Sequence, residues 1–279
     1  MDAVTPPAAQ IDADVARALA EDIGTGDVSA ALLRDAPGSA HIICREHAVI
    51  AGLPWVEACF RALDPHARFQ WHLNDGQRIA PDQELGRIHA GNRALVTGER
   101  IALNFLQTLS GTATVTARYA AALANSGTRI LDTRKTLPGL RLAQKYAVRC
   151  GGGVNHRIGL FDAVMLKENH LLAAGSIAAA VNAARERYPQ LPLICEVENL
   201  DELAQALDAG VDRILIDDFS LDDMHCAVAI AAGRTPLEVS GNVTLDTLPQ
   251  IAATGVDFVS SGALTKHVRA IDYSMRLLA

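Results

Sequence analysis

In the second half of the sequence, short apolar runs end again and again in residues that can do chemistry. They are followed by Asp132-Thr133-Arg134-Lys135, Lys167-Glu168-Asn169-His170, Glu196-Val197-Glu198-Asn199, Asp217-Asp218, Ser240-Gly241-Asn242 and Ser260-Ser261-Gly262-Ala263. Between Arg129 and Arg157 stand seven cations, Arg129, Arg134, Lys135, Arg141, Lys145, Arg149 and Arg157, against the single acid Asp132. In a chain of formal net charge −7, that local excess points to a small polyanionic ligand. Arginine offers a planar fork for carboxylate or phosphate, and lysine a point charge. A solvated helix face is the bland explanation for Arg141, Lys145 and Arg149. It fits less well for Arg134-Lys135 or for His156-Arg157 after Gly151-Gly152-Gly153, where missing side chains let backbone approach a ligand.

Glu196 and Asp217 end successive runs. Carboxylates beside anionic ligands suit a hard cation such as Mg2+, which takes one or two carboxylates plus substrate oxygens and water. Ion pairing with Lys167 or Arg157 is the competing use. The two Ser/Gly loops supply free N–H groups and hydroxyls fit for phosphate, or they are plain turns. Lys167, among cations, is also a candidate Schiff-base lysine. No HExxH or paired-cysteine spacing suggests zinc.

These groups need a scaffold that brings strand ends together. The runs Arg129–Leu131, Ala163–Leu166, Leu193–Cys195, Ile214–Ile216, Leu237–Val239 and Val256–Val259 are separated by helical patterns such as Ser176–Tyr188 and Leu200–Ala209. That rhythm predicts βα units. In a parallel α/β barrel the strand C-termini open on one face, whereas an open doubly wound sheet would spread them along an edge. The first ~115 residues have no such rhythm. They predict an acidic helix (12–20), strands at 41–45, 48–51, 69–73 and 84–89, and a helix at 55–63. A further helix capped by Thr97 is interrupted by Gly111, and another spans 114–124.

The chain has 279 residues, 49% of them hydrophobic, enough for one barrel or two modest domains. Its acidic balance argues against nucleic-acid or membrane-surface binding. Five scattered cysteines without a CxxC pair predict reduced thiols in a cytoplasmic protein. An acidic N-terminus without an apolar core is no signal peptide, and no run is apolar enough to span a membrane.

Taken together, several segments resemble the quinolinate phosphoribosyltransferase family: residues 21–27, 99–106, Leu131 to Thr136, Gly151 to Arg157, Lys167 to His170, Glu196 to Asn199 and both Ser/Gly loops. The resemblance implies an α+β N-terminal domain (1–115), an incomplete, seven-stranded α/β barrel (116–267), and a tail (268–279) returning to the first domain. It implies transfer of phosphoribosyl from phosphoribosyl pyrophosphate (PRPP) to quinolinate with loss of CO2, giving nicotinate mononucleotide for NAD biosynthesis, with Mg2+. Lys135, Lys167, Glu196 and Asp217 are then the catalytic set, with Glu196 and Asp217 near the metal. Thr133, Arg134, His156 and Arg157 join them in binding substrate, and Ser240, Gly241, Asn242, Ser261, Gly262 and Ala263 hold the 5-phosphate. It further implies a homodimer in which Arg100 reaches into the partner's site. A Schiff-base lyase using Lys167 and a non-catalytic phosphate-ligand binding protein are the alternatives.

Overall fold

The computed structural model describes residues 5–278. The chain runs through α1 (Ala8–Ile23), β1 (Pro37–Cys44), β2 (Ala48–Val49), α2 (Leu53–Leu63), β3 (Arg68–Trp71), β4 (Arg78–Ile79), β5 (Glu84–Gly91), α3 (Asn92–Ala122), β6 (Arg129–Leu131), α4 (Arg141–Cys150) and β7 (Val164–Leu166). It continues through α5 (Glu168–Ala174), α6 (Ile177–Arg187), β8 (Leu193–Val197), α7 (Leu200–Asp208), β9 (Arg213–Asp217), α8 (Leu221–Ala231), β10 (Leu237–Ser240), α9 (Leu248–Ala253), β11 (Phe258–Ser260), α10 (Ala263–Lys266) and β12 (Tyr273–Leu278). Two compact units result. Of the described residues, the first comprises 5–117, 136–152 and 264–278, the second 118–135 and 153–263. No helix among the described residues is long and apolar enough to cross a membrane.

The first unit is built on an antiparallel sheet of order β12-β1-β5-β3. Ala40, Ile42 and Cys44 alternate inward along β1 and are fully buried, as expected of a strand with one covered face. They pack with Trp55, Val56, Cys59 and Phe60 of α2 and Leu103, Leu106 and Leu109 of α3.

Three expectations are corrected in this unit. Helix α3 is continuous from Asn92 to Ala122, with neither a Thr97 cap nor a break at Gly111. Thr97 instead donates its hydroxyl to Asp27 Oδ2 at 2.9 Å. A Cβ at Gly111 would lie 2.3 Å from the Arg269 carbonyl oxygen, so this glycine serves close packing. Helix α4 belongs to the first unit, inside the stretch expected for the barrel, because Ala143, Tyr146 and Ala147 join the first unit's core. Nor is α4 a solvated cationic face: Lys145 is buried, and Arg141 and Arg149 are half-buried.

The triple glycine also has a packing use. A Cβ on Gly151 would stand 2.4 Å from the Ala113 carbonyl oxygen of α3, while Gly152 turns the chain at φ 84°. Because backbone cannot yield as a side-chain tip can, Gly151→Ala is expected to destabilise the fold by about 2 kcal/mol. A thermal melt should then fall by roughly 5 °C, and an unchanged midpoint would show that α3 and α4 can separate without cost.

The second unit holds a six-stranded, all-parallel sheet of order β6-β11-β10-β9-β8-β7. From β7 to β11 each strand lies beside the next in sequence, without the reversal of a doubly wound sheet. On the far side of β6, Leu131 makes a parallel bridge to Val154. The strands are short and apolar, as parallel strands covered on both faces must be. The returning helices are capped by Ser176, Asn199 and Ser220, whose side chains accept from the N–H groups of Ala179, Glu202 and Asp223. Across the sheet, Glu196, Leu215, Glu238, Phe258 and Arg129 are register partners in turn and share one face. Two residues further on, Asp217 pairs with Ser240, and Ser260 with Leu131.

Candidate active site at the strand ends

The shared face opens at the strand C-termini into a cavity of about 220 Å3. Its walls are Thr133, Arg134, Lys135, His156, Arg157, Met165, Lys167, Glu196, Leu215, Glu238, Ser240 and Ser260, all from the second unit. Four cationic side chains and two carboxylates thus meet in one small space. Beneath them lies an apolar cluster of Ala163, Ile194 and Leu215 with Met165.

Fully buried Asp132 organises the loop after Val154. Its carboxylate accepts from the His156 N–H at 2.8 Å and from Asn155 Nδ2 at 2.6 Å. That fixes where His156 and Arg157 begin. The Arg157 N–H donates to His156 Nδ1 at 2.6 Å, and the guanidinium reaches the Ala163 carbonyl and Met165 Sδ, both at 3.4 Å. Burial holds the Arg157 pKa below its usual value, and the neighbouring Arg134 cation pushes the same way. Arginine starts so high that the guanidinium stays charged at neutral pH.

Lys167 leaves the end of β7 and pairs its ammonium with Glu196 Oε2. Lys135 follows a turn in which its N–H donates to Thr133 Oγ1 at 3.1 Å. A Cβ on Gly262 would lie 2.8 Å from Lys135 Cδ, so the second Ser/Gly loop lies against the lysine stem. In that loop the Ser261 N–H donates to the Leu131 carbonyl at 3.1 Å and the Ala263 N–H to Ser261 Oγ at 3.3 Å. Gly241 and Asn242 both take positive φ, 89° and 46°, a backbone form that presents N–H groups together. Asn242 donates to Asp218 Oδ1 at 3.2 Å.

Of the residues singled out in the sequence, Thr133, Arg134, Lys135, His156, Arg157, Lys167, Glu196 and Ser240 line the cavity. Asp217, Gly241, Asn242, Ser261, Gly262 and Ala263 stand outside its lining. Asp217 is nevertheless the register partner of Ser240, and a Cβ on Gly241 would come within 3.6 Å of Asp217 Oδ1. Arg100 is an exposed residue of α3 in the first unit.

Beside Glu196 is a second, acidic recess formed in part by Glu168, Glu198 and Glu202. The charge of Glu168 raises the Glu198 pKa, helped by partial desolvation and by Glu202, Asp217 and Glu196. Among the described residues, no group of three or more His, Cys, Asp or Glu is placed to hold a metal by itself.

Glu238 is a residue that sequence reasoning missed. It is fully buried in β10, with Oε2 3.1 Å from Arg213 Nη1 and 3.3 Å from His156 Nε2. Burial alone would raise its pKa, but the His156 contact, the Ser260 hydroxyl and the Arg213 charge bring the net direction down, so it is held ionised. The available signal was an acid inside an otherwise apolar run, Leu237-Glu238-Val239.

A parallel sheet wound in one direction, with cations, carboxylates and small polar loops at its strand ends, defines an α/β protein whose strand ends are suited to a small, highly charged anion. The family model described as the quinolinate phosphoribosyl transferase N-terminal domain matches residues 27–110, and that for the C-terminal domain matches 112–276. The chain is 45% identical to a probable nicotinate-nucleotide pyrophosphorylase (carboxylating) of Synechocystis, over 98% of this chain and 94% of that one. It is 38% identical to the Bacillus subtilis protein described in the same words, over 91% and 89%. Among solved structures, the nicotinate-nucleotide pyrophosphorylase of Francisella tularensis superposes with a TM-score of 0.95 at 44% identity, covering 100% of this chain and 99% of that one. The chain belongs to the quinolinate phosphoribosyltransferase family.

Proposed function

We propose that this chain transfers the phosphoribosyl group of PRPP to quinolinate, releasing pyrophosphate and CO2 and leaving nicotinate mononucleotide for NAD synthesis. The observation that carries the reading is the single cavity in which Arg134, Lys135, Arg157 and Lys167 face Glu196. Its size, below the roughly 300–1,000 Å3 of drug-sized sites, suits one small ring. Arg134, Arg157 and Lys167 hold the two carboxylates and turn the ring nitrogen toward the sugar. Lys135 and the loops at Ser240-Gly241-Asn242 and Ser261-Gly262-Ala263 receive phosphate. Glu196 and Asp217 face the positive charge that grows on the ribose as pyrophosphate departs. The nitrogen attacks; its positive charge then stabilises the electron pair left on the adjacent ring carbon when that carbon's carboxylate leaves as CO2, and a proton from water takes the carboxylate's place. No covalent enzyme intermediate is required. Membership of this family disfavours both a Schiff-base lyase and a non-catalytic binding protein.

Glu196 and Asp217 fit Mg2+ as two of its oxygen donors, the others coming from substrate and water. The ion would neutralise charge on the leaving pyrophosphate. The winding of the sheet, with the Leu131–Val154 bridge as a further strand, supports an incomplete seven-stranded barrel. Five free cysteines support a reducing compartment such as the cytoplasm. A homodimer with shared sites follows from the resemblance. The exposed Leu160 and Phe161 are apolar surface that an interface would cover.

The test is CO2 release, expected only with quinolinate, PRPP and Mg2+ together. Nicotinate carries one carboxylate and leaves part of the cationic wall unpaired, so its kcat/KM should be lower by roughly a thousandfold or more. Equal turnover of the two acids would sink the dicarboxylate assignment.

A further inference from the structure

Glu238 is a carboxylate on the wall of a cavity that the proposed function fills with a dianion. It is fully buried, and its Oε1 has no hydrogen-bond partner among the described residues. The other oxygen is shared between Arg213 and His156. Arg213 is absent from the cavity lining, so the neutralising guanidinium lies outside while Glu238 itself borders the cavity. The cations arrive from the edges of the sheet: Arg134 and Lys135 after β6, Lys167 after β7. Glu238 comes from an interior strand. A ligand crossing this space meets positive charge at the edges and a fixed negative charge between them.

We propose that Glu238 is an electrostatic selector for the transferase reaction. It turns carboxylates toward the edge-strand cations, and it favours the ring nitrogen only once alkylation has made that nitrogen positive. A buried charge is screened by water and salt far less than an exposed one, and the Arg213 contact offsets the charge of Glu238 without occupying the cavity wall. Its interaction with the dianionic reactant, whose ring nitrogen is still uncharged, is repulsive. Its interaction with the pyridinium is attractive, and that difference lowers the barrier. The bonding changes are those of the proposed reaction, and Glu238 neither gives nor takes a proton. The inference rests on the transferase reading.

Glu238→Gln keeps the shape of the side chain and an acceptor for Arg213 and His156 but removes the charge. Single-turnover product formation should slow by roughly tenfold or more. Quinolinate affinity, measured by calorimetry without PRPP, should stay equal or tighten. A side chain that merely supported His156 would give the contrary pattern, with weaker binding accompanying the slower rate. Glu238→Asp retains the charge and should hold the rate within roughly fivefold of the parent. A Gln variant within twofold of the parent rate, or one that loses rate and affinity together, overturns the proposal. So does an Asp variant as slow as Gln, and this arm remains decisive if Gln does not fold. The parent chain must first release CO2 with both substrates. If it releases none, the transferase reading fails, while the quinolinate affinities still report whether Glu238 repels a dianion.

Discussion

An Arg157→Ala protein is expected to fold normally and to lose roughly a thousandfold in kcat/KM for quinolinate, about 4 kcal/mol of transition-state binding. The reason lies in what the guanidinium already touches. Its acceptors are a carbonyl at the long distance of 3.4 Å and a thioether sulfur, both weak partners. The fork therefore retains its capacity for a strong, charge-assisted contact. Burial and the facing Arg134 cation already work against its charge. A dianion entering between them relieves that repulsion, so binding gains from a stress present in the empty site. Without Arg157 a ligand carboxylate would be desolvated beside a methyl group. Arg157→Lys should restore little, since a point charge does not reproduce the fork. Thermal stability should hold or rise slightly, because one of two repelling cations is gone. Kinetics and a melt on the same preparations check both parts, and a loss below tenfold would remove Arg157 from carboxylate binding.

The second large effect concerns sharing between subunits. Arg100→Ala and Lys135→Ala should each be nearly inactive alone. Mixed and allowed to exchange, they should recover roughly a quarter of the parent activity. In a two-fold dimer with shared sites, each mixed pair has one site carrying both defects and one carrying neither. Arg100 lies on the exposed surface of α3, and Lys135 on the cavity wall. If mass spectrometry confirmed mixed dimers and activity stayed absent, Arg100 would have no place in the partner's site.

Much of the second unit was legible in the sequence because each parallel strand is an apolar run closed by a polar cluster. The strands at 129–131, 193–197, 213–217 and 237–240 fall where those runs lie. A polar cluster at the end of a run is conspicuous, but a single acid inside one is not. Glu238 escaped for that reason, and only the register of β10 against β9 and β11 shows that it shares a face with Leu215 and Phe258. Glycine misled once: Gly111 looked like a helix interruption but admits the Arg269 carbonyl oxygen. Gly151, read as room for a ligand, has the further use of admitting the Ala113 carbonyl oxygen, which no local pattern announces. The return of α4 to the first unit is likewise a matter of tertiary burial. Its cations suggested a wet face, whereas six successive residues, Ala143 to Val148, are buried.

The last strand has a consequence for how the molecule is made. β12 lies antiparallel against β1, pairing Tyr273 with Cys44 and Leu278 with Ser39. A side-chain bond joins Arg45 to Ser274, 229 residues away. On a ribosome, β1 emerges long before its partner and must wait with one edge bare, while the parallel sheet has all of its strands available sooner. The nascent first unit is thus the part exposed to chaperones and to premature edge-to-edge association. A released chain ending at Asp272 should be protease-sensitive in this unit, with the segment from Gly153 to Ala263 resistant.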